Sequence, residues 1–189
     1  LEKGAKVKYI EKHYGQGDGT GKRVLNPVTE VHLKEGATLE MDSVQIKGVD
    51  STERITKGVI EENASFVVSE KIMTHGTQFA KTVFEVELNG ENASTKVTSR
   101  SVATEDSKQE FCSKVTGNQK CFGHVECDAI IKDNAKVVAI PEIVANNVEA
   151  NLIHEAAIGK IAGEQFTKLM TLGLTEKEAE EAIINGFLK

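Results

Sequence analysis

A Gly or Asn followed by Ala, usually after an acidic residue, recurs through the first 150 residues of this 189-residue chain: Gly4-Ala5, Glu35-Gly36-Ala37, Glu62-Asn63-Ala64, Glu91-Asn92-Ala93 and Asp133-Asn134-Ala135. Gly and Asn tolerate the left-handed backbone that a sharp corner needs, and Ala is small enough to enter a crowded strand start. Successive alanines are 32, 27, 29 and 42 residues apart. That spacing suits stacked strands and disfavours a sandwich, whose turns come every ~8 to 12 residues. Phe84, Val86 and Leu88 alternate with Glu85 and Glu87, as a half-buried strand requires. Within these 150 residues the Asn-Gly hairpin signal occurs once, at Asn89-Gly90, and no helical pattern separates the strands, so a βαβ sheet is disfavoured. A mainly β fold, a β-solenoid or β-helix, remains.

Composition places its limit. All 19 Val residues lie at or before Val148, while half of the 10 Leu residues fall in the last 41 positions beside Ala156, Ala157, Ala162, Ala179 and Ala182. A β core over 1–150 and a C-terminal helical domain over 151–189 are predicted. Within the tail, Phe166, Leu169 and Met170 follow helical spacing up to Gly173. Thr175 with Glu178 forms a capping box ahead of Ala179, Ala182 and Ile183, and Gly186 is the expected stop.

The net charge of −6 comes without a basic stripe, which argues against phosphate-driven nucleic-acid binding. No apolar run reaches the ~18 to 20 residues of a membrane helix. Three widely spaced cysteines do not form a disulfide framework, so a soluble protein of the reducing cytoplasm is expected.

Among motifs that carry chemistry, Gly15, Gly17, Gly19 and Gly21 precede Lys22-Arg23, but Arg23 stands where a P-loop needs Ser or Thr, and the stretch reads as a loop. Asn63-Ala64-Ser65 and Asn92-Ala93-Ser94 match the glycosylation pattern and are better explained as corners. Cys121, His124 and Cys127 invite a metal reading, yet on a strand Cys121 and Cys127 stand ~20 Å apart and His124 points to the other face. Spacing alone makes all three cysteines, Cys112 included, buried structural residues. His154 and Glu155 project about 100° apart on a helix or oppositely on a strand, so one of the pair serves a site and the other the fold. Ser101 has no positioned His.

Taken in order, Cys121-Phe122-Gly123-His124-Val125-Glu126-Cys127-Asp128-Ala129-Ile130, Pro141-Glu142, Leu152-Ile153-His154-Glu155-Ala156-Ala157-Ile158-Gly159-Lys160-Ile161, Gly173-Leu174-Thr175, Glu178-Ala179 and Ile184-Asn185-Gly186-Phe187 resemble the SufB/SufD family of the SUF iron-sulfur cluster assembly machinery. The match is clearest over 95–189. The resemblance implies a right-handed parallel β-helix followed by a small helical domain, and a scaffold rather than a self-sufficient enzyme. It implies a homodimer or a SufB/SufD-type heterodimer, a SufC-type ABC ATPase docked on the helical domain at Phe166, Leu169, Met170, Ala179, Ile183 and Phe187, and a cysteine desulfurase as sulfur source. It makes Cys127 the sulfur acceptor, with Glu155 and His154 as further ligands of a transient iron-sulfur cluster. Cys127 and Glu155 together make the chain more like SufB than SufD. A structural subunit without its own cluster is the alternative. A carbohydrate-binding or carbohydrate-cleaving solenoid is weak, with no Trp and 5% aromatics.

Overall fold

The computed structural model describes residues 1–15 and 20–189, so Gly17 and Gly19 of the Gly-rich stretch lie outside the described residues. Along the chain run β1 (Lys6–Tyr14), β2 (Val24–Leu25), β3 (Val28–Leu33), β4 (Thr38–Lys47), β5 (Ser51–Ile60) and β6 (Ser65–Thr74). Then follow β7 (Phe79–Leu88), β8 (Ser94–Ala103), β9 (Lys108–Gly117), β10 (Phe122–Ile131), β11 (Lys136–Ala145) and β12 (Asn151–Gly159), and last α1 (Gly163–Thr171) and α2 (Glu176–Phe187). From β4 on, successive strands alternate between two parallel sheets. The first has the order β1-β4-β6-β8-β10-β12. The second has the order β11-β9-β7-β5, with β2 and β3 both against β5. The chain is mainly β, a parallel β-solenoid with two C-terminal helices, as the sequence predicts.

The corners explain the repeat and its irregularity. At one edge the N–H groups of Ala37, Ala64 and Ala93 donate to the carbonyls of Lys34, Glu61 and Gly90, and the preceding Gly36, Asn63 and Asn92 have φ of 68°, 55° and 57°. At the other edge the left-handed residue comes one place earlier, at Gly76, Glu105 and Asp133. Asp133-Asn134-Ala135 therefore belongs to the second edge, with Asp133 rather than Asn134 in the strained conformation. The missing member of the first edge is Cys121. The Ala93 carbonyl accepts from Phe122, and the Cys121 carbonyl accepts from Asn151, so Cys121 continues the column of Ala64 and Ala93. It is 6% exposed. Asn89-Gly90, a hairpin signal by sequence, lies at such a corner between parallel strands.

Between the sheets, side chains alternate in and out; β6 reads half-buried, buried, through all ten residues. Phe66 and Phe84 stack at 5.9 Å among Leu33, Ile60, Val86, Leu88 and Val97. Each such burial contributes about 1.5–3 kcal/mol. Further along the strands the interior turns polar: register puts Glu11, Ser43, Glu70, Ser99 and Cys127 in one column. Glu70 accepts from the Thr82 and Ser99 hydroxyls, both at 2.9 Å, and lies 3.5 Å from Arg54 Nε. The Arg54 guanidinium also donates to Glu11 and, at 2.7 Å, to His13 Nδ1.

Strand structure runs to Gly159, nine residues past the break in composition, because Asn151–Gly159 joins the ladder of β10. Leu152 seats over Gly117 and Gly123, where an added Cβ would meet its methyls at 3.3 and 2.9 Å. That inward fit overrides the helical preference of Ala156 and Ala157. The capping box of Thr175 and Glu178 is present, and Gly173 (φ 96°) ends the first helical segment as expected. Gly186 does not stop the second: α2 runs through it to Phe187. Lys132 pairs with Glu180 at 2.7 Å, Lys71 Nζ donates to the Lys189 carbonyl at 2.9 Å, and Arg100 lies 6.0 Å from the centre of the Phe187 ring. No helix among the described residues is long and apolar enough to cross a membrane.

Candidate functional site

On β10, Gly123, Val125, Cys127 and Ala129 face the interior, while Phe122, His124, Glu126 and Asp128 face out. β12 lies beside it in parallel register, with Val125 opposite His154, Glu126 opposite Glu155 and Cys127 opposite Ala156. The pleat therefore turns His154 inward and Glu155 outward. His154 Nε2 stands 3.7 Å from Cys127 Sγ, and its Nδ1 is 3.5 Å from the Ser113 hydroxyl of β9, across the interior. Glu155 stands on the far side of the sheet, 3.7 Å from His124 Nε2 and directly opposite Glu126.

The structure thus brings together Cys127 and His154 and places Glu155 outside that pair. Among the described residues no three His, Cys, Asp or Glu side chains group closely enough to hold a metal ion. Cys121 fills its corner column, apart from Cys127. Cys112 is not buried but half-buried on the outer side of β9. Ser113 carried no sequence signal, since only the stacking of the two sheets brings it to His154.

Electrostatics keep both partners neutral. Burial, with a smaller push from Asp128, raises the Cys127 thiol to about 11. Burial and the neighbouring His124 lower the His154 imidazole, which leaves a ring nitrogen free to accept a proton or bind a metal. A thiol must ionise before it attacks or ligates, and the imidazole nitrogen 3.7 Å away can take its proton, although burial shifts both groups against that transfer.

The site lies next to the open end of the solenoid. β11 and β12 are the last strands of their sheets, and Ile143 and Ile158 there are 46% and 39% exposed. Of the helical candidates, Ala179 is fully buried and Phe187 lies against Arg100. Met170 is 46% exposed, and Phe166, Leu169 and Ile183 are half-buried.

The sequence matches the family SUF system FeS cluster assembly, SufBD core domain, over residues 1–139 and again over 60–187, two overlapping registers that a periodic solenoid permits. An iron-sulfur cluster assembly SufBD family protein of Methanocaldococcus jannaschii is 34% identical over 190 residues, covering 100% of this chain and 60% of that protein. One from Archaeoglobus fulgidus is 28% identical over 87% of this chain and 45% of its own length. The iron-sulfur cluster assembly protein SufB of Bacillus subtilis is 33% identical over 104 residues, 52% of this chain and 22% of that protein. The chain spans between 45% and 60% of the length of the first two. By this match and by its two-sheeted parallel solenoid, the chain belongs to the SufBD core family of SUF-system iron-sulfur cluster assembly proteins.

Proposed function

We propose that this chain is a scaffold on which an iron-sulfur cluster is built transiently in a SUF-type complex. The observation that carries the reading is the approach of Cys127 Sγ to His154 Nε2, 3.7 Å, next to the open end of the solenoid. Thiolate is the preferred ligand of iron-sulfur clusters, and imidazole at a remaining iron position leaves the cluster labile enough to pass on. In the sulfur-accepting step His154 takes the Cys127 proton. The thiolate attacks the outer sulfur of a donor persulfide, one S–S bond forms as another breaks, and the donor leaves as its thiolate. A cysteine desulfurase is the class of donor that supplies this sulfur.

Glu155 joins the ligand set only if β12 shifts or a second chain presents its own carboxylate, so the reading includes a dimer, homomeric or SufB/SufD-like, whose interface takes in the open end. A SufC-type ABC ATPase docking on the helical pair through Phe166, Leu169, Met170 and Ile183 supplies the opening motion a buried thiol needs. A second reading, a structural subunit without its own cluster, is favoured by the protonated state of Cys127 at neutral pH. Anaerobic reconstitution with iron and sulfide separates the two. Under the scaffold reading, the wild type, alone or with the ATPase, shows iron-sulfur absorption and Mössbauer signals that Cys127→Ala loses. Retention of the full signal by Cys127→Ala, or its absence from both proteins with the ATPase present, favours the structural role.

A further inference from the structure

The outer face of the second sheet carries a pattern that the cluster-assembly reading does not use. Register stacks Val28, Ile55, Val83, Cys112 and Ile140 into one outward apolar column. Val28 and Ile140 are 62% and 53% exposed. On one side runs a column Glu53, Lys81, Glu110, and on the other Glu30, Lys57, Glu85, Lys114, Glu142. Each central strand therefore presents a charge, an apolar residue and the opposite charge, with the order reversed at every step: Glu53-Ile55-Lys57 on β5, Lys81-Val83-Glu85 on β7, Glu110-Cys112-Lys114 on β9.

Pairs within the sheet account for part of this, at 3.0 Å for Lys81 with Glu53, 3.6 Å for Lys57 with Glu85 and 2.7 Å for Lys114 with Glu142. Glu30 and Glu110 have no cation within ion-pair reach among the described residues. The reversal of sign across each strand has a further property. A two-fold rotation about the apolar column sets each strand antiparallel over its own copy, so Glu53 meets the second copy's Lys57, Lys81 meets its Glu85, and Glu110 meets its Lys114. These three central rows are self-complementary, which is what an interface between identical chains requires. From this we infer that the outer face of the second sheet is a lateral self-association surface, occupied by a second copy of this chain, with Cys112 on the two-fold axis. The inference stands independently of the cluster-assembly reading.

Strand and residue spacings make the patch roughly 20 by 15 Å, well below the ~800 Å² per partner of a standard interface. The association is therefore weak and is best read by trapping. Facing sheets pack ~10 Å apart, too far for a disulfide, whose Cα atoms need about 4.4–6.8 Å, but within reach of a short bismaleimide. With the full chain at tens of micromolar, the reagent gives a covalent dimer that Cys112→Ser abolishes. Lys81→Glu lowers the yield severalfold. The exchange Lys81→Glu with Glu85→Lys restores at least half of it, because it keeps the pairing across the axis while breaking the pairing within the sheet. Circular dichroism verifies the fold of each variant. Three results overturn the inference: no dimer from the wild type, a dimer that survives Cys112→Ser, or an exchange variant no better than Lys81→Glu alone. A dimer that survives Cys112→Ser but needs Cys127 instead reports the interface of the cluster-assembly reading.

Discussion

Two polar groups sit inside the same solenoid and are treated in opposite ways. Around Arg54, donors and acceptors close on one another: Glu70 takes two hydroxyl donors at 2.9 Å, and Arg54 reaches two carboxylates and His13. Around Cys127 the contacts are long, 3.7 Å to His154 and 3.5 Å from His154 to Ser113, and the strands beyond it end. Buried polar groups are expensive unless satisfied, so a satisfied network fixes the fold, whereas an underused one keeps its bonding capacity for something else. On the reading proposed above, function belongs to the poorer of the two clusters.

The largest effect expected is at the satisfied cluster. Arg54→Met leaves Glu11 and Glu70 buried without their cation and lowers unfolding free energy by about 3–5 kcal/mol in urea titration. Cys127→Ala in the same assay costs under about 2 kcal/mol, since it removes one small group. Similar losses at both positions break the comparison. Next is reactivity. With its thiol raised from 9.0 to about 11, Cys127 holds about a hundredfold less thiolate at neutral pH than an ordinary cysteine, at tenfold per pH unit. Its alkylation rate should climb through pH 10, and a plateau near pH 9 contradicts the burial argument. By linkage the neutral thiol favours the fold below pH 9.0, and that contribution is lost as pH rises through about 11.

Smaller effects separate the helical pair from the solenoid. Thr175→Ala removes the cap of α2 and costs about 1 kcal/mol, read as lost helical dichroism with the β signal unchanged. Smallest is Glu155→Gln. It relieves the like-charge pair with Glu126 and stabilises by a few tenths, on the ~0.2–1 kcal/mol scale of cross-strand pairs. A destabilisation there would place Glu155 in contacts other than those on the outer face.

The solenoid was legible in the sequence because corner chemistry is local: Gly36, Asn63 and Asn92 advertise a left-handed turn whatever surrounds them. Cys121 hid one corner, since a thiol fills the Ala place without matching its pattern. The strand β12 lies within the predicted helical domain and was not legible locally, because Leu152 owes its inward seat to Gly117 and Gly123, some 30 residues upstream. At the site, alternation alone separated His154 from Glu155, and resemblance alone chose Cys127. Its distance to His154 depends on the register of β10 with β12, which local pattern does not contain. Ser113 depends on the facing sheet and was invisible.

The outer edge of β12, which pairs with no strand among the described residues, has a kinetic meaning. In a stack where each coil touches only its neighbours, opening free energies rise inward from the ends. Peeling β12 breaks one ladder and leaves the Phe66–Phe84 core intact, yet it uncovers Cys127 and carries His154 away with it. Amide hydrogens of β12 should exchange long before those of β6 and β8. Such a local opening would let a reagent reach the thiol without global unfolding.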